Sequence, residues 1–176
     1  MIFTPASLQD AYIIDIEKRE DARGFFGRAW CADEFTQHGL DAQLAQASIS
    51  FNHKRGTLRG MHWQAEPHGE VKVVRCTSGA IYDVIVDVRP ESPSYLKWIG
   101  VDLSAANRRA LYIPKGFAHG FQTLADDTEV FYFISAFYAP EAARGARYNE
   151  SAFGITWPLP ISIIAAKDEA WPDYQA

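Results

Sequence analysis

The stretch Ala80-Ile81-Tyr82-Asp83-Val84-Ile85-Val86-Asp87-Val88 carries an apolar side chain at every even position. On the other face, Asp83 and Asp87 stand among apolar neighbours. A period of two is typical of a β-strand, because successive side chains of a strand point to opposite faces. We therefore predict a strand from Ala80 to Val88.

Further short strands are predicted on both sides of this stretch, separated by turn residues. They are Val71 to Thr77, Trp98 to Leu103, Ala110 to Ile113 and Thr128 to Tyr138. Helical signal is limited to Ala32 to His38 and a turn at Pro140 to Ala143. Many short strands with few helices predict an all-β fold, which is a sandwich, a barrel or a jelly roll.

The composition is typical of one globular domain. The chain has 176 residues, 48% hydrophobic and 22% charged, with no long linker and no visible repeat. We expect a single domain over residues 1–176. No stretch approaches the roughly 18 to 20 apolar residues that cross a bilayer, and the N-terminus lacks a basic segment followed by an apolar run. We therefore expect a soluble protein that is not exported and does not bind a membrane.

Net charge, cysteine usage and aromatic content narrow the kinds of partner, compartment and fold that this protein can have. A formal net charge of -5 argues against nucleic acid as the main partner, although a local basic pocket can still hold phosphate. Cys31 and Cys76 are far apart and form no CxxC pair, so we interpret them as reduced packing residues of a cytoplasmic protein. The aromatic content of 14% favours a β protein and is equally consistent with a ring-lined ligand cavity.

Two histidine-containing segments carry the chemical signal. In Gly56 to Gln64, alternation places Leu58, His62 and Gln64 on one strand face and Arg59 on the other. A bulge at Gly60 would instead turn Arg59 to the same face as His62. The sequence leaves both alternatives open.

The second segment, Pro114 to Gly120, places His119 after a Pro/Gly turn. Together the two segments resemble the motifs of the cupin superfamily, whose fold is a double-stranded β-helix, or jelly roll. Metal-binding cupins carry His-x-His plus a glutamate in the first motif, and a further histidine in the second. Gln64 stands at the second histidine position, so we predict no metal site.

The residue types alone permit both a chemical and a structural interpretation. A histidine in a β cavity suits general-base chemistry, since its ordinary pKa is about 6.5. Core packing explains His62 and His119 equally well. Lys72 and Arg75 interrupt an apolar strand, so at least one should face a cavity or a carboxylate. A solvated strand edge remains the alternative for Lys72, as core packing does for Tyr132.

A longer series of motifs makes the resemblance more specific. The motifs are Asp21 to Phe26, Leu58 to His62, Ser92 to Tyr95, Leu103 to Ala105, Asn107-Arg108, Ile113 to Phe121 and Gly154 to Pro158. In this order the chain resembles the family of dTDP-4-dehydrorhamnose 3,5-epimerases from about Asp21 to Asp168. The resemblance implies a homodimer without metal or other cofactor that acts on a nucleotide-diphosphate-linked 4-keto-6-deoxyhexose. Supply of such sugars to a surface polysaccharide or a decorated metabolite is the setting it suggests.

The resemblance also implies roles for individual residues. His62 matches the base that removes a proton next to the C4 ketone, and Asp168 matches the carboxylate that orients it. Tyr132 matches the acid on the opposite face, and Lys72 matches the lysine that stabilises the developing C4 enolate. Substrate-binding positions are matched by Arg23, Gln46, Arg59, His119, Tyr138 and Lys167. Arg59 then either reaches this site through a bulge at Gly60 or serves the site of the neighbouring subunit. Trp63 and Tyr138 are expected to face or border the pocket.

Departures from the family pattern are expected around the bound substrate and not among the catalytic residues. They are Arg28 for a glutamate, Ala47 and Ser48 for Asp-Asn, Phe133 for a lysine and Phe137 for a tyrosine. The sugar, the nucleotide and the choice between C3, C5 or both therefore stay open. Three alternative functions remain: a non-catalytic sugar-nucleotide-binding module, a 3,4-ketoisomerase and a metal-dependent cupin enzyme.

Overall fold

Short strands dominate the computed structural model, which describes residues 1–175. In chain order the strands are β1 (Ile2–Pro5), β2 (Tyr12–Asp15), β3 (Arg19–Asp21), β4 (Gly24–Phe26), β5 (Gln46–Asn52), β6 (Thr57–Gln64), β7 (Lys72–Ser78), β8 (Ala80–Asp87), β9 (Trp98–Ser104), β10 (Ala110–Ile113), β11 (Phe117–Thr123), β12 (Thr128–Ile134), β13 (Ala143–Gly145) and β14 (Ile163–Ile164). The helices are α1 (Ala32–Gln37), α2 (Ala166–Glu169) and a 3₁₀ turn at Pro140–Ala142.

The strands form two large sheets and one separate hairpin. The first sheet has the order β1-β2-β10-β7-β12-β5, and the second has the order β13-β6-β11-β8-β9. Neighbours along both orders are antiparallel, while β14 adds to β6 in parallel. β3 and β4 pair only with each other. The predicted all-β jelly-roll class with few short helices is confirmed.

An apolar core lies between the two sheets. It contains Val74 of β7, Leu111 of β10, Ile85 of β8, Phe121 of β11 and Val130 of β12, each at most 1% exposed. Burying one such side chain contributes about 1.5 to 3 kcal/mol to folding. This core holds the interior faces of the strands at a fixed spacing, and those faces also carry the polar residues described below.

Each sheet is also covered on its outer face, which explains why β12 is apolar on both sides. Val130 and Tyr132 belong to the interior core, whereas Phe133 packs with Phe35 of α1 in a cluster outside the first sheet. The predicted strand Thr128 to Tyr138 ends early, at Ile134. The chain turns away there, although the Ser135 N–H donates to the Val71 carbonyl and the Ser135 Oγ accepts from the Val71 N–H.

The segment after β13 covers the outer face of the second sheet. Phe153 and Tyr174 pack there against Val84, Val86 and Met61. Trp63 lies in the same cluster, its ring centroid 6.2 Å from that of Tyr174. The expectation that Trp63 borders the pocket is therefore wrong.

Strand β6 contains a bulge that changes the expected alternation. His62 lies opposite His119 and Arg59 opposite Phe121, so β6 has one residue more than β11 between these pairs. Directly opposed residues point to the same side of a sheet. Arg59 and His62 therefore both face the interior, as the bulge alternative required. Leu58 pairs with Gln122 and turns to the other face, contrary to the simple alternation.

The described residues, 1–175, include no helix with the length and hydropathy needed to cross a bilayer.

Gly60 permits this bulge, and its replacement by alanine should destabilise the fold. Gly60 has φ +122°, and a Cβ added there would lie 2.5 Å from the Cα of Gly120. The clash and the unfavourable backbone conformation should together lower the free energy of unfolding by about 2 to 4 kcal/mol. Urea unfolding monitored by circular dichroism measures this loss.

Gly24→Ala is the matched control for backbone conformation. Gly24 has φ +126°, but an added Cβ would meet no atom within 4 Å. We expect Gly24→Ala to lower the free energy of unfolding by about 1 kcal/mol, because only the backbone conformation becomes unfavourable. Equal losses in the two variants would contradict the steric explanation.

Candidate active site

A cavity of about 480 Å³ is lined by residues of β5, β6, β7, β11, β12, β14 and α2. All four predicted catalytic residues line it, namely His62, Lys72, Tyr132 and Asp168. Three predicted substrate-binding residues also line it, namely Arg59, His119 and Lys167. Strands and helix α2, far apart in sequence, bring these seven side chains together.

His62 and Asp168 form a hydrogen-bonded pair. His62 Nε2 lies 2.7 Å from Asp168 Oδ1, and the Gly60 N–H donates to Oδ2 at 3.3 Å. The Asp168 side chain is 3% exposed and that of His62 is 37% exposed. With Nε2–H donating to the carboxylate, the Nδ1 lone pair of His62 is left to act as a base.

The carboxyl group of Asp168 is held in its ionised form. Burial acts to raise its pKa, but the hydrogen bond and charge of His62 and the Gly60 N–H outweigh this effect, so the pKa is lowered. An ionised Asp168 fixes the orientation of the imidazole and stabilises the imidazolium that forms when His62 takes up a proton.

Tyr132 reaches the cavity from β12. Its ring lies 6.2 Å from that of His119, at an interplanar angle of 75°. Burial, together with the negative charge of Asp83, raises the pKa of Tyr132. The phenol therefore keeps its proton at neutral pH and can donate it. Tyr132 both packs against the core and lines the cavity, so the two interpretations of this residue are compatible.

His119 pairs with a carboxylate that sequence reasoning did not select. His119 Nε2 lies 2.7 Å from Asp83 Oδ1, and the two side chains are 6% and 0% exposed. His119 is thus partnered by an acid and not by a backbone carbonyl. The sequence feature that could have predicted this pair is Asp83 itself, within the alternating stretch Ala80 to Val88. An aspartate on an interior strand face needs a polar partner.

Lys72 is the basic residue of β7 that faces the cavity. Its Nζ lies 2.8 Å from Glu70 Oε1, and the two side chains are 13% and 12% exposed. β7 lies between β10 and β12, so Lys72 is not on a solvated edge. Arg75 points the other way, and burial lowers the pKa of its guanidinium.

Three predicted binding residues do not line the cavity. Arg23 lies at the turn of the β3–β4 hairpin with its side chain 90% exposed and paired to Asp21. Gln46 begins β5, and Tyr138 is 67% exposed beyond the end of β12. Neither is among the cavity-lining residues. Among the departures, Phe133 packs on the outer face of the first sheet, so it does not belong to the surroundings of the cavity.

The side-chain amide of Gln64 is bound to backbone groups and is not placed as a metal ligand. Its Nε2 donates to the carbonyl of His68 at 3.0 Å, and its Oε1 accepts from the N–H of Ala139 at 2.6 Å. Within residues 1–175 no group of three or more His, Cys, Asp or Glu is arranged to hold a metal ion. This donor set therefore does not fit the metal centre of a metal-binding cupin.

The arrangement suits proton transfer at a carbon next to a carbonyl. A histidine base, a protonated tyrosine and an ammonium group line one cavity, and the base has its own carboxylate. A base and an acid can invert a carbon centre if they act on opposite faces, while a cation stabilises the enolate oxygen.

Comparisons with known proteins agree with this chemistry. The family profile described as dTDP-4-dehydrorhamnose 3,5-epimerase matches residues 5–176. A dTDP-4-dehydrorhamnose 3,5-epimerase of Sinorhizobium fredii is 40% identical over 173 residues, covering 98% of this chain and 89% of the relative.

Solved structures give the same result. The crystal structure of the epimerase of that name from Elizabethkingia anophelis has a TM-score of 0.95 and 35% identity, covering 99% of this chain and 96% of that chain. The enzyme of that name from Bacillus anthracis, solved with TDP and PPi bound, has a TM-score of 0.94 and 35% identity over 98% and 99% of the two chains. This chain therefore belongs to the dTDP-4-dehydrorhamnose 3,5-epimerase family.

Proposed function

We propose that this protein is an isomerase that inverts C3, C5 or both of a dTDP-linked 4-keto-6-deoxyhexose. The observation that carries the proposal is the cavity shared by His62, its partner Asp168, Tyr132 and Lys72. Family membership supports epimerase chemistry. The TDP bound to the related Bacillus anthracis enzyme supports a dTDP-linked substrate.

The mechanism is a proton removal followed by a proton return on the opposite face. The C4 ketone acidifies the protons at C3 and C5, and His62 takes one of them as Asp168 stabilises the imidazolium. The electron pair of the broken C–H bond moves to the C4 oxygen, where the Lys72 ammonium stabilises the enolate. The C4 carbonyl then re-forms, and the returning electron pair takes the proton of Tyr132 on the other face of the carbon, which inverts it. The imidazolium loses its proton to solvent and the tyrosinate takes one up, which restores both groups.

The remaining cavity residues suit the diphosphate and sugar of the substrate. Arg59 and Lys167 supply positive charge, and a planar guanidinium can bind phosphate oxygens bidentately. Arg59 is already oriented, because its Nε donates to Asn52 Oδ1 at 2.7 Å. His119 lies deeper and can donate to a sugar oxygen. Gln46 and Tyr138 are assigned to the outer part of the bound nucleotide sugar.

A homodimer is part of the proposal. Apolar side chains are exposed at Phe26, Ile49 and Phe51, which is typical of a surface covered by another chain. Arg23, on the exposed β3–β4 hairpin, is then assigned to the cavity of the partner subunit.

We further propose that residues 1–176 form a single domain that works in the cytoplasm. The absence of a disulfide bond at Cys31 and Cys76 supports that compartment.

Deuterium exchange tests the catalytic assignment. In D₂O the enzyme should place deuterium at C3, C5 or both of a dTDP-linked 4-keto-6-deoxyhexose, and His62→Ala should abolish this incorporation. Tyr132→Phe should slow epimerisation by about 10²- to 10⁴-fold while exchange of the proton next to His62 continues. Mass spectrometry and NMR of the product measure both quantities.

The same assay separates the alternative functions. Substrate binding without deuterium uptake in the wild type would favour a sugar-nucleotide-binding module. A product with the carbonyl at C3 would favour a ketoisomerase. Unchanged exchange in His62→Ala would refute the assignment of the base. A panel of dTDP-, CDP- and GDP-linked sugars determines the nucleotide.

Removing the charge of Asp168 should have a pH-dependent effect on stability. The pKa of this carboxyl is lower in the folded protein than its ordinary value of 3.8. Its stabilising effect is thus complete above that value and is lost as the pH falls through the folded pKa. Asp168→Asn should lower the free energy of unfolding by about 1 to 2 kcal/mol at pH 7, and the difference from wild type should narrow below about pH 4.

Asp102→Asn, at an exposed position of β9, is the control for loss of one negative charge. It should change stability by less than about 0.5 kcal/mol at either pH. A difference for Asp168→Asn that stays constant from pH 7 to pH 3 would contradict the explanation by an ionised, hydrogen-bonded carboxylate.

Complementation between variants tests the dimer and the position of Arg23. Arg23→Ala should raise KM about tenfold or more, because a charge-assisted contact with the diphosphate is lost. Mixing inactive His62→Ala with Arg23→Ala should restore activity, since one cavity of a mixed dimer would have an intact His62 and an intact Arg23. A monomer by light scattering, or no recovery after subunit exchange, would refute this arrangement.

A further inference from the structure

A chain of polar contacts runs from Lys72 away from the cavity. Glu70 Oε1 accepts from Lys72 Nζ at 2.8 Å, and Glu70 Oε2 accepts from Gln64 Nε2 at 3.3 Å. Gln64 in turn is bonded to the carbonyl of Phe137 and the N–H of Ala139. Lys72 lines the cavity, whereas neither Glu70 nor Gln64 does. Glu70 therefore lies on the side of Lys72 away from the cavity and does not contact the substrate.

The lysine needs such a partner for two physical reasons. Its side chain is only 13% exposed, so the ammonium has lost most of its water and requires a compensating charge. The lysine stem also has several rotatable bonds, which allow many positions unless a contact selects one. One ammonium hydrogen bonds to Glu70, and the other two remain available to an oxygen in the cavity.

Glu70 is itself held in place by Gln64. Gln64 is 4% exposed, and its amide is fixed on both sides by backbone groups of the segments that follow β6 and β12. Both neighbours of the Glu70 carboxylate are donors, the Lys72 ammonium and the Gln64 amide. A carboxylate satisfies two donors at once, whereas a glutamine at position 70 would turn its own NH₂ toward one of them.

We propose that Glu70 is a positioning residue that holds the Lys72 ammonium at the enolate oxygen, with Gln64 as its anchor. This inference rests on the proposed function, because it assumes that Lys72 acts on the reaction. It also assigns a task to Gln64, the residue at the motif position where metal-binding cupins have a histidine. The amide at that position supports a side chain that orients a catalytic cation.

Glu70→Gln should lower kcat while leaving KM within about twofold of the wild type. A small displacement of Lys72 weakens an interaction that develops in the transition state, so we expect a loss of about ten- to hundredfold in kcat. Glu70→Asp keeps the charge and should recover part of the lost rate. Glu66→Gln, at an exposed position of the same loop, is the matched control and should leave kcat unchanged.

A double-mutant cycle separates positioning from a general structural effect. Lys72→Met should lower kcat by about 10²- to 10³-fold, as expected for loss of one preorganised cation. Adding Glu70→Gln to Lys72→Met should then lower the deuterium-exchange rate by no more than about twofold, since Glu70 acts through the lysine. Thermal unfolding of each variant shows whether it is folded at the assay temperature.

The outcomes distinguish this inference from the proposed function. If Lys72→Met exchanges as fast as the wild type, Lys72 has no role in the reaction and both proposals about it fail. If Lys72→Met is slow but Glu70→Gln is as fast as the wild type or faster, only the inference about Glu70 fails. An equal loss from Glu70→Gln with and without Lys72 would also overturn it.

Discussion

The close approach of β6 and β11 at Gly60 and Gly120 is the constraint on which the site depends. A Cβ on Gly60 would lie 2.5 Å from the Cα of Gly120, and one on Gly120 would lie 2.7 Å from the carbonyl oxygen of Arg59. Two glycines allow this approach, and the bulge in β6 forms beside it. The bulge turns Arg59 to the same face of the sheet as His62, which is the face that lines the cavity. The Gly60 N–H donates to the Asp168 carboxylate. Backbone packing thus places both His62 and its partner Asp168.

The cavity holds several charged groups between apolar cores, and pairing makes this possible. Asp168 is bonded to His62, Asp83 to His119 and Glu70 to Lys72, each at 2.7 to 2.8 Å. A buried charge is costly unless a partner compensates it. Each pair joins a basic side chain of the cavity to a carboxylate that fixes its position. In the proposed function, the same pairs that permit burial also preorganise the site for proton transfer.

Several strands in the middle of the chain could be predicted, because their apolar side chains alternate or run without interruption between turn residues. Ala110–Ile113 was predicted with the observed bounds, and Ala80–Asp87 and Trp98–Ser104 differ from prediction by one residue. The errors come from packing between distant segments and from a bulge. Trp63 follows His62 on β6 and therefore faces outward, where the C-terminal segment covers it. Phe133 faces α1, which periodicity alone cannot locate. The position of Arg59 required a bulge, which a strict period of two does not contain.

The sequence by itself determined the all-β class, because alternation is a local property of the chain, and its resemblance to the epimerase family selected seven residues that line the cavity. Only the tertiary structure decided which of them meet. Asp83 became the partner of His119, and Glu70 the partner of Lys72, through strand register and loop packing. Arg23, Gln46 and Tyr138 were selected equally well by motif, yet the fold places them outside the cavity lining. Proximity between distant segments depends on how the sheets pack, which no local pattern specifies.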